Sequence, residues 1–540
     1  MTPVLTSVRQ SVRSDTGAWL IVAAGCIAFF GVAWLGLYYD DLSNIGIYRT
    51  QRYLDVVKDL RFNRFPLFAL VLYPLMLLVL PVWASHLVVA AAHITAAVLL
   101  RSVLKGFGAS ERLAVSAGLL FLLAPAHGEV LYWIVASTVI FGVGFALAST
   151  VQLQRGRPLL ACGLAFMGML FSEAVILPIA ALHFFVLLQQ RIRLWRMVLH
   201  GVGLVVPYGV FLVVRFLYST PGVGKMTQYD TGLANASQNA TDILMMATGL
   251  MSSRDINWFW NQAPLMANVG LLLSPGVLVP AVLLMGGIVW ALSRLPGEAP
   301  RPRLLVMGGV ASLAGLATAL AVFLVVTGNT MQPRYTYVPL LFLTTLAALL
   351  LAGLDRGRAP RAVWMAVMVG VLGWSVYRSW SNVWGNWYPA KLVMERVLKD
   401  VETTARERQV KQVFVVNVPM LVGNAYVFMR EWSYSAAGEQ LFSEPLTLRD
   451  IPDPLRYGQL KPGERFTDGA CVFLGWRNGQ REAAPRAYDP ARKLVLDCAT
   501  GLVEAPGETL PELRYAEVNE VAYRDMTGRP PPEGLTEARP

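Results

Sequence analysis

The stretch Ala18-Trp-Leu-Ile-Val-Ala-Ala-Gly-Cys-Ile-Ala-Phe-Phe-Gly-Val-Ala-Trp-Leu-Gly-Leu-Tyr-Tyr-Asp40-Asp41 decides the fold. An uncharged apolar run of this length makes enough helix to cross the ~30 Å hydrocarbon layer of a bilayer. Arg9 and Arg13 precede it, as in a signal peptide. The run is longer than a signal's apolar region, however, and it ends on two aspartates without a small-residue cleavage site. It reads as an uncleaved first span.

The same pattern repeats outward along the chain. Of 540 residues, 55% are hydrophobic and only 15% charged, against about 25% charged in soluble domains. Apolar runs fall near 84–104, 113–131, 132–152, 197–217, 264–292, 304–327, 335–354 and 362–380, and a pair of short helices fits between Pro158 and Gln190, meeting near Ser172-Glu173. The fold class is mainly α: a polytopic helical membrane domain of about eleven spans over residues 1–380, followed by a small soluble α/β domain over 381–540. In that last segment an amphipathic helix, Pro389 to Arg408, precedes strand-like runs Gln412–Val418, Ala425–Met429, Cys471–Trp476 and Lys493–Cys498. Cys471 and Cys498 are placed to pair.

The net charge of +11 sits in short clusters between apolar runs rather than on one face or tail, which excludes nucleic acid as a partner. Lys105–Arg112, Arg155–Arg157, Arg191–Arg196, Arg294–Arg303 and Arg356–Arg361 fall on one side, with the N-terminus, if the helices alternate. By the positive-inside rule that side is cytoplasmic. Counting 65–83 as a span breaks the agreement, so this stretch, with Pro66, Pro74 and Pro81, is expected to be re-entrant or interfacial. Residues 40–64, 218–264, 328–334 and everything after 380 then lie outside, in a multi-pass protein of the cell (inner) membrane.

The chemistry-bearing residues gather on that outer side. Asp40-Asp41 opens the first outer loop, followed by Arg49 and Arg52. Adjacent carboxylates raise one pKa and supply a general base, and neighbouring cations can hold a phosphate. Glu129 and Glu173 sit at the outer ends of helices in apolar sequence, where an acid at mid-membrane costs about 3 kcal/mol; a polar cavity is expected there. Arg334 opens a helix on the same side, and a guanidinium suits a lipid phosphate. Lys225 lies in Pro221-Gly-Val-Gly-Lys-Met-Thr227, which lacks the first glycine and the hydroxyl residue of a phosphate loop. No G-x-G-x-x-G follows a strand, so no nucleotide-sugar fold is indicated. His86 and His93, seven apart on one helix, read as packing residues, and no metal ligand set emerges.

In order along the chain, these features resemble the multispanning glycosyltransferases of the C-type fold, especially the protein O-mannosyltransferase branch and its bacterial relatives. Asp40-Asp41 falls at that family's acidic motif and Phe65-Pro-Leu67 resembles its Arg-Pro-Leu segment. His86 to His93 resembles its histidine-rich second helix, and Pro125-Ala-His-Gly-Glu-Val-Leu-Tyr-Trp133 its Pro-x-His-x-Glu-Ala-Val-x-Trp. Ser172-Glu-Ala-Val-Ile-Leu-Pro178 resembles its Lys-Glu helix, with serine for lysine, and Arg334-Tyr-Thr-Tyr-Val-Pro339 its Arg-Tyr-x-Tyr-x-Pro.

The resemblance implies transfer of a sugar from a polyprenyl-phosphate donor to the hydroxyl of a glycan, lipid or protein at the outer interface, with inversion. Asp40 or Asp41 would be the base, and Arg334, Arg49, Arg52 and Lys225 would hold the leaving phosphate. Glu129, Glu173 and His127 would contact sugar or acceptor. No cofactor is required, although some members of the fold use a divalent metal. Two other classes fit part of the pattern: a flippase for a lipid-linked sugar, for which internal repeats are expected and not found, and a polymerase or ligase using a diphosphate-linked donor.

Overall fold

The computed structural model describes residues 3–38, 40–58, 65–124, 127–218, 275–295, 308–319, 336–352, 358–419, 421–422, 425–428, 431–442, 445–450, 460–490, 492–515 and 519–528. They are mainly helical, with a sheet region near the C-terminus. In chain order the helices are α1 (Pro3–Phe29), α2 (Asp40–Thr50), α3 (Tyr53–Lys58), α4 (Val82–Gly106), α5 (Glu111–Leu122), α6 (Gly128–Tyr132), α7 (Thr138–Gln154), α8 (Pro158–Phe171), α9 (Ile176–Gln189) and α10 (Leu194–Tyr218). There follow α11 (Pro275–Arg294), α12 (Gly308–Ala319), α13 (Tyr337–Ala352), α14 (Arg358–Asn382), α15 (Tyr388–Arg408), α16 (Glu431–Gln440) and α17 (Asn519–Thr527). Two compact units emerge: Met1–Ala33 with most of the chain from Tyr53 to Asn382, and Trp34–Arg52 with Val383–Pro540.

Among the described residues of the chain, five helices are long and apolar enough to cross a membrane, and six shorter apolar helices accompany them. The outward faces are apolar too: Leu194, Val198, Val205, Val213 and Leu217 along α10 are all more than half exposed. A continuous exposed apolar surface of this kind suits lipid and not water. Small residues let the helices close up. A Cβ on Gly168 of α8 would lie 3.1 Å from the Gly142 carbonyl of α7, and one on Gly142 would lie 2.8 Å from Ser172 Cβ, the close backbone approach that membrane helices use for packing. The run 65–83 is a short π-helical segment, Phe68–Leu72 and Leu75–Val79, ended at Pro81. Its 12 residues reach about 18 Å, short of a full crossing.

Polar side chains tie the basic ends together. Gln154 donates to the Val103 carbonyl (2.9 Å) and Gln190 to that of Leu153 (3.2 Å), joining the C-terminal ends of α4, α7 and α9. Glu111 receives Arg101 Nε at 2.6 Å and Lys105 Nζ at 2.5 Å. Arg112 donates to the carbonyls of Ser293 (3.0 Å) and Leu295 (2.8 Å), joined at Ser293 by Arg361. Guanidinium groups from the basic loops thus cap the carbonyl end of α11, where the helix dipole favours positive charge.

The unit containing the C-terminus is α/β. α15 buries Val393, Val397, Val401 and Ala405, a helical stripe at four-residue spacing, and packs it on β1 (Gln412–Val415) and β5 (Cys471–Arg477). A two-stranded antiparallel pair, β2 (Leu421–Val422) and β3 (Ala425–Tyr426), lies between β1 and α16 in sequence. One sheet runs β4-β1-β5-β6, with β4 (Thr447–Asp450) and β5 parallel to β1 and β6 (Gln480–Ala484) antiparallel to β5. The β5–β6 hairpin turns on Asn478-Gly479, both at positive φ, as a two-residue type I′ loop requires. The second sheet runs β10-β7-β8-β9, with β7 (Arg486–Asp489), β8 (Leu494–Asp497), β9 (Leu502–Glu504) and β10 (Leu513–Arg514). Phe414, Phe466, Phe473, Leu496, Val503 and Leu513 form one core, into which the Cys471–Cys498 disulfide is built (Cα–Cα 5.1 Å).

Candidate functional site

Asp40 and Asp41 begin α2, which belongs to the C-terminal unit and packs on α16. Asp41 is fully buried. Its Oδ2 accepts the Tyr38 N–H (3.3 Å) while its own N–H donates to the Tyr38 carbonyl (2.8 Å), so a side-chain bond and a backbone turn close the same segment. The Tyr38 hydroxyl donates to the Trp387 carbonyl (2.8 Å) and accepts from Gly36 N–H (3.1 Å). Burial above all, then the charges of Asp41 and Glu395, push its ionisation above the usual phenol range against the Gly36 hydrogen bond, so it remains a donor. Asp41 therefore holds the entry into α2. Arg49, in the last turn of α2, and Arg52 are exposed.

In the helical unit the acidic residues come from two helix breaks. The run expected as one helix over 113–131 stops at Leu122, ahead of Pro125, and resumes as α6; a proline lacks the N–H that would continue the ladder. Glu129 lies in the first turn of α6 and is 8% exposed. The second break, Ser172–Val175, separates α8 from α9 and carries Glu173. Thr138, at the start of α7, donates to the Phe171 carbonyl. The second break thus abuts the N-terminal end of α7, opposite the end where Gln154 and the basic loops lie, while α6 with Glu129 precedes that same end in sequence.

Glu173 is not alone there. Arg215, in the last turn of α10, donates to its Oε1 at 2.7 Å, with the guanidinium side chain 9% exposed and the carboxylate side chain 26%. Sequence reasoning missed Arg215. The signal was present: a lone cation at the end of an apolar run, away from the basic clusters, departs from the pattern those clusters set. Removing one member of a buried pair costs roughly 3–5 kcal/mol; partial exposure of Glu173 lowers the expectation to about 2 kcal/mol. Glu173→Gln should lower the thermal unfolding midpoint in detergent by several degrees, and the swap Glu173→Arg with Arg215→Glu should recover more than half of it. A swap no better than the single change would remove the pair from the account.

His127 is packed among aromatic rings. It is 2% exposed, and its ring meets those of His93 (4.7 Å) and Tyr337 (4.8 Å). Its Nε2–H donates to the Phe121 carbonyl (2.7 Å), and His93 Nε2–H donates to that of Leu122 (2.9 Å). His93 Nδ1 accepts the Tyr337 hydroxyl (2.7 Å). Both imidazoles satisfy carbonyls that the end of α5 leaves without helical partners. Two histidines of the resemblance thus cap the end of α5.

Arg334 and Lys225 lie outside the described residues, as does the side chain of Asp40. Among the described residues, no group of three or more His, Cys, Asp or Glu side chains can hold a metal ion. The chain matches no protein-family model, no curated protein and no solved structure.

Proposed function

We propose that the chain is a membrane glycosyltransferase that moves a sugar from a polyprenyl-phosphate donor to an acceptor hydroxyl at the outer membrane–water interface. The observation that carries the reading is the Glu173–Arg215 pair at a helix break beside the N-terminal end of α7, with the buried Glu129 on the short helix that leads to the same end. Carboxylates kept in apolar surroundings are costly, and they persist where a polyhydroxylated ligand needs acceptors. The disulfide in the C-terminal unit supports an oxidising, extracytoplasmic side for that unit, in keeping with the basic loops inside.

In this reaction the acceptor oxygen attacks the anomeric carbon as the bond from that carbon to the phosphate oxygen breaks. The acceptor proton passes to a carboxylate, and polyprenyl phosphate leaves with the bonding pair. We assign the base to Asp40, because Asp41 is committed to the Tyr38 turn. Arg49 and Arg52 share a unit with Asp40 and are cations available to a departing phosphate; in the helical unit, Glu129 and Glu173 are acceptors for sugar hydroxyls.

The test is transfer of label from a radiolabelled polyprenyl-phosphate sugar in membranes containing the protein, beside the same sugar on a polyprenyl diphosphate. Label moving only from the monophosphate supports the reading. Transfer only from the diphosphate moves the chain to the polymerase or ligase class, and label that crosses the bilayer without changing carrier moves it to the flippases.

A further inference from the structure

Parallel strands of an α/β sheet offer ligands the crevice beyond their carboxyl ends. In the C-terminal unit, β1 and β5 are parallel neighbours, and a cleft of about 420 Å³ lies where both end, lined among others by Asn417, Arg477, Glu482, Glu512, Arg514 and Asp525. That volume is within the range of small-molecule sites, which begins at about 300 Å³. Asn417, two residues past β1, is held in a left-handed conformation (φ 58°), with its side-chain amide donating to the Arg514 carbonyl at 2.8 Å. Arg477 ends β5, half exposed, steadied by Glu482 (3.4 Å) and the Glu512 carbonyl (3.0 Å). The opposite wall is α17, fixed to α15 by Arg396, which donates to the Met526 carbonyl (2.8 Å) and to Gly479. The cleft is therefore preorganised.

Asp525 on α17 is the group this arrangement leaves over. Its side chain is partly enclosed, and no hydrogen bond or ion pair reaches its carboxylate among the described residues. Burial raises its ionisation above the ordinary range even though the charges of Arg477 and Arg524 oppose the shift. A carboxylate on the wall of a preorganised cleft is open to hydrogen-bond donors of a ligand. The charges around it decide which. An anion would face Asp525, Glu482 and Glu512; a cation would face Arg477 and Arg514. A neutral polyol meets both, giving hydrogens to the carboxylate and taking them from the guanidinium.

We propose that this cleft is a saccharide-binding site in which sugar hydroxyls donate to Asp525 and accept from Arg477. That the saccharide is the acceptor of the transfer reaction rests on the reading above; the binding itself does not.

The test uses the full chain in detergent micelles without any lipid donor, so failure of the transfer reading leaves its outcome untouched. Methyl glycosides of glucose, galactose, mannose and N-acetylglucosamine are presented singly, and binding is read by saturation-transfer difference NMR. At least one should bind, and affinity should fall about tenfold or more in Asp525→Ala and, separately, in Arg477→Gln. Resistance of the 460–515 segment to limited proteolysis reports whether each variant keeps its fold, and either variant alone suffices. No binding of any glycoside to the wild type, or binding that survives both substitutions undiminished, would overturn the proposal, as would inorganic phosphate displacing the bound glycoside.

Discussion

Asp40→Asn is expected to lower sugar transfer about 10³-fold, whereas Asp41→Asn should retain a substantial fraction of wild-type transfer. A positioned general base contributes typically 10²–10⁴ in rate, and an amide cannot take its proton. For Asp41 the relevant property is different: its Oδ2 accepts the Tyr38 N–H inside a fully buried turn, and an asparagine oxygen can do the same. Asp41→Ala removes the acceptor and should reduce protein abundance rather than the rate per molecule. Initial rates in membranes, normalised to protein, separate these outcomes. Inactive Asp41→Asn beside active Asp40→Asn would move the base to the buried carboxylate, and full activity in both would remove the pair from the chemistry.

The second large effect concerns the C-terminal unit. Cys471 at the start of β5 and Cys498 just after β8 are 27 residues apart in sequence and join the two sheets. Closing a loop of that length stabilises the folded domain by about 3.5 kcal/mol in the chain-entropy account. Replacing both cysteines by serine should therefore move the urea midpoint for proteolysis within 460–515 down by about 1–2 M in the full-length protein, with m near 2 kcal/mol/M. Reductant should do the same to the wild type and nothing further to the variant. A wild type insensitive to reductant would show the bond to be dispensable.

The sequence made the helices legible wherever an apolar run was long and unbroken, and the same feature hid their ends. Residues 113–131 read as one helix because no charge interrupts the run before Glu129, yet Pro125 and the carbonyl-capping imidazoles stop it at Leu122. The short helices meeting near Ser172 were visible because Glu173 does interrupt its run. In the C-terminal unit, strands of apolar residues such as Phe414 and Phe473 were readable. β6, β7 and β10 were not, because Gln480–Ala484 carries charges on both faces and Leu513–Arg514 is too short to show alternation. The two acidic breaks were found as single residues from the cost of burying a carboxylate. Arg215 was not, because its partner lies on another helix and only packing brings them together. The commitment of Asp41 to Tyr38 was hidden for a related reason: the turn is stabilised by Trp387, 349 residues later.

That separation has a kinetic meaning. Trp34–Arg52 leaves the ribosome well before the chain it packs against, which begins at Val383. At about 5–20 residues per second, a gap of 349 residues lasts roughly 20–70 s, during which Tyr38 and Asp41 have no finished partner. The stretch that carries the acidic pair must therefore be kept from other pairings until Trp387 has been made, and chains that stop before it, however many spans they have inserted, never complete the turn at Asp41.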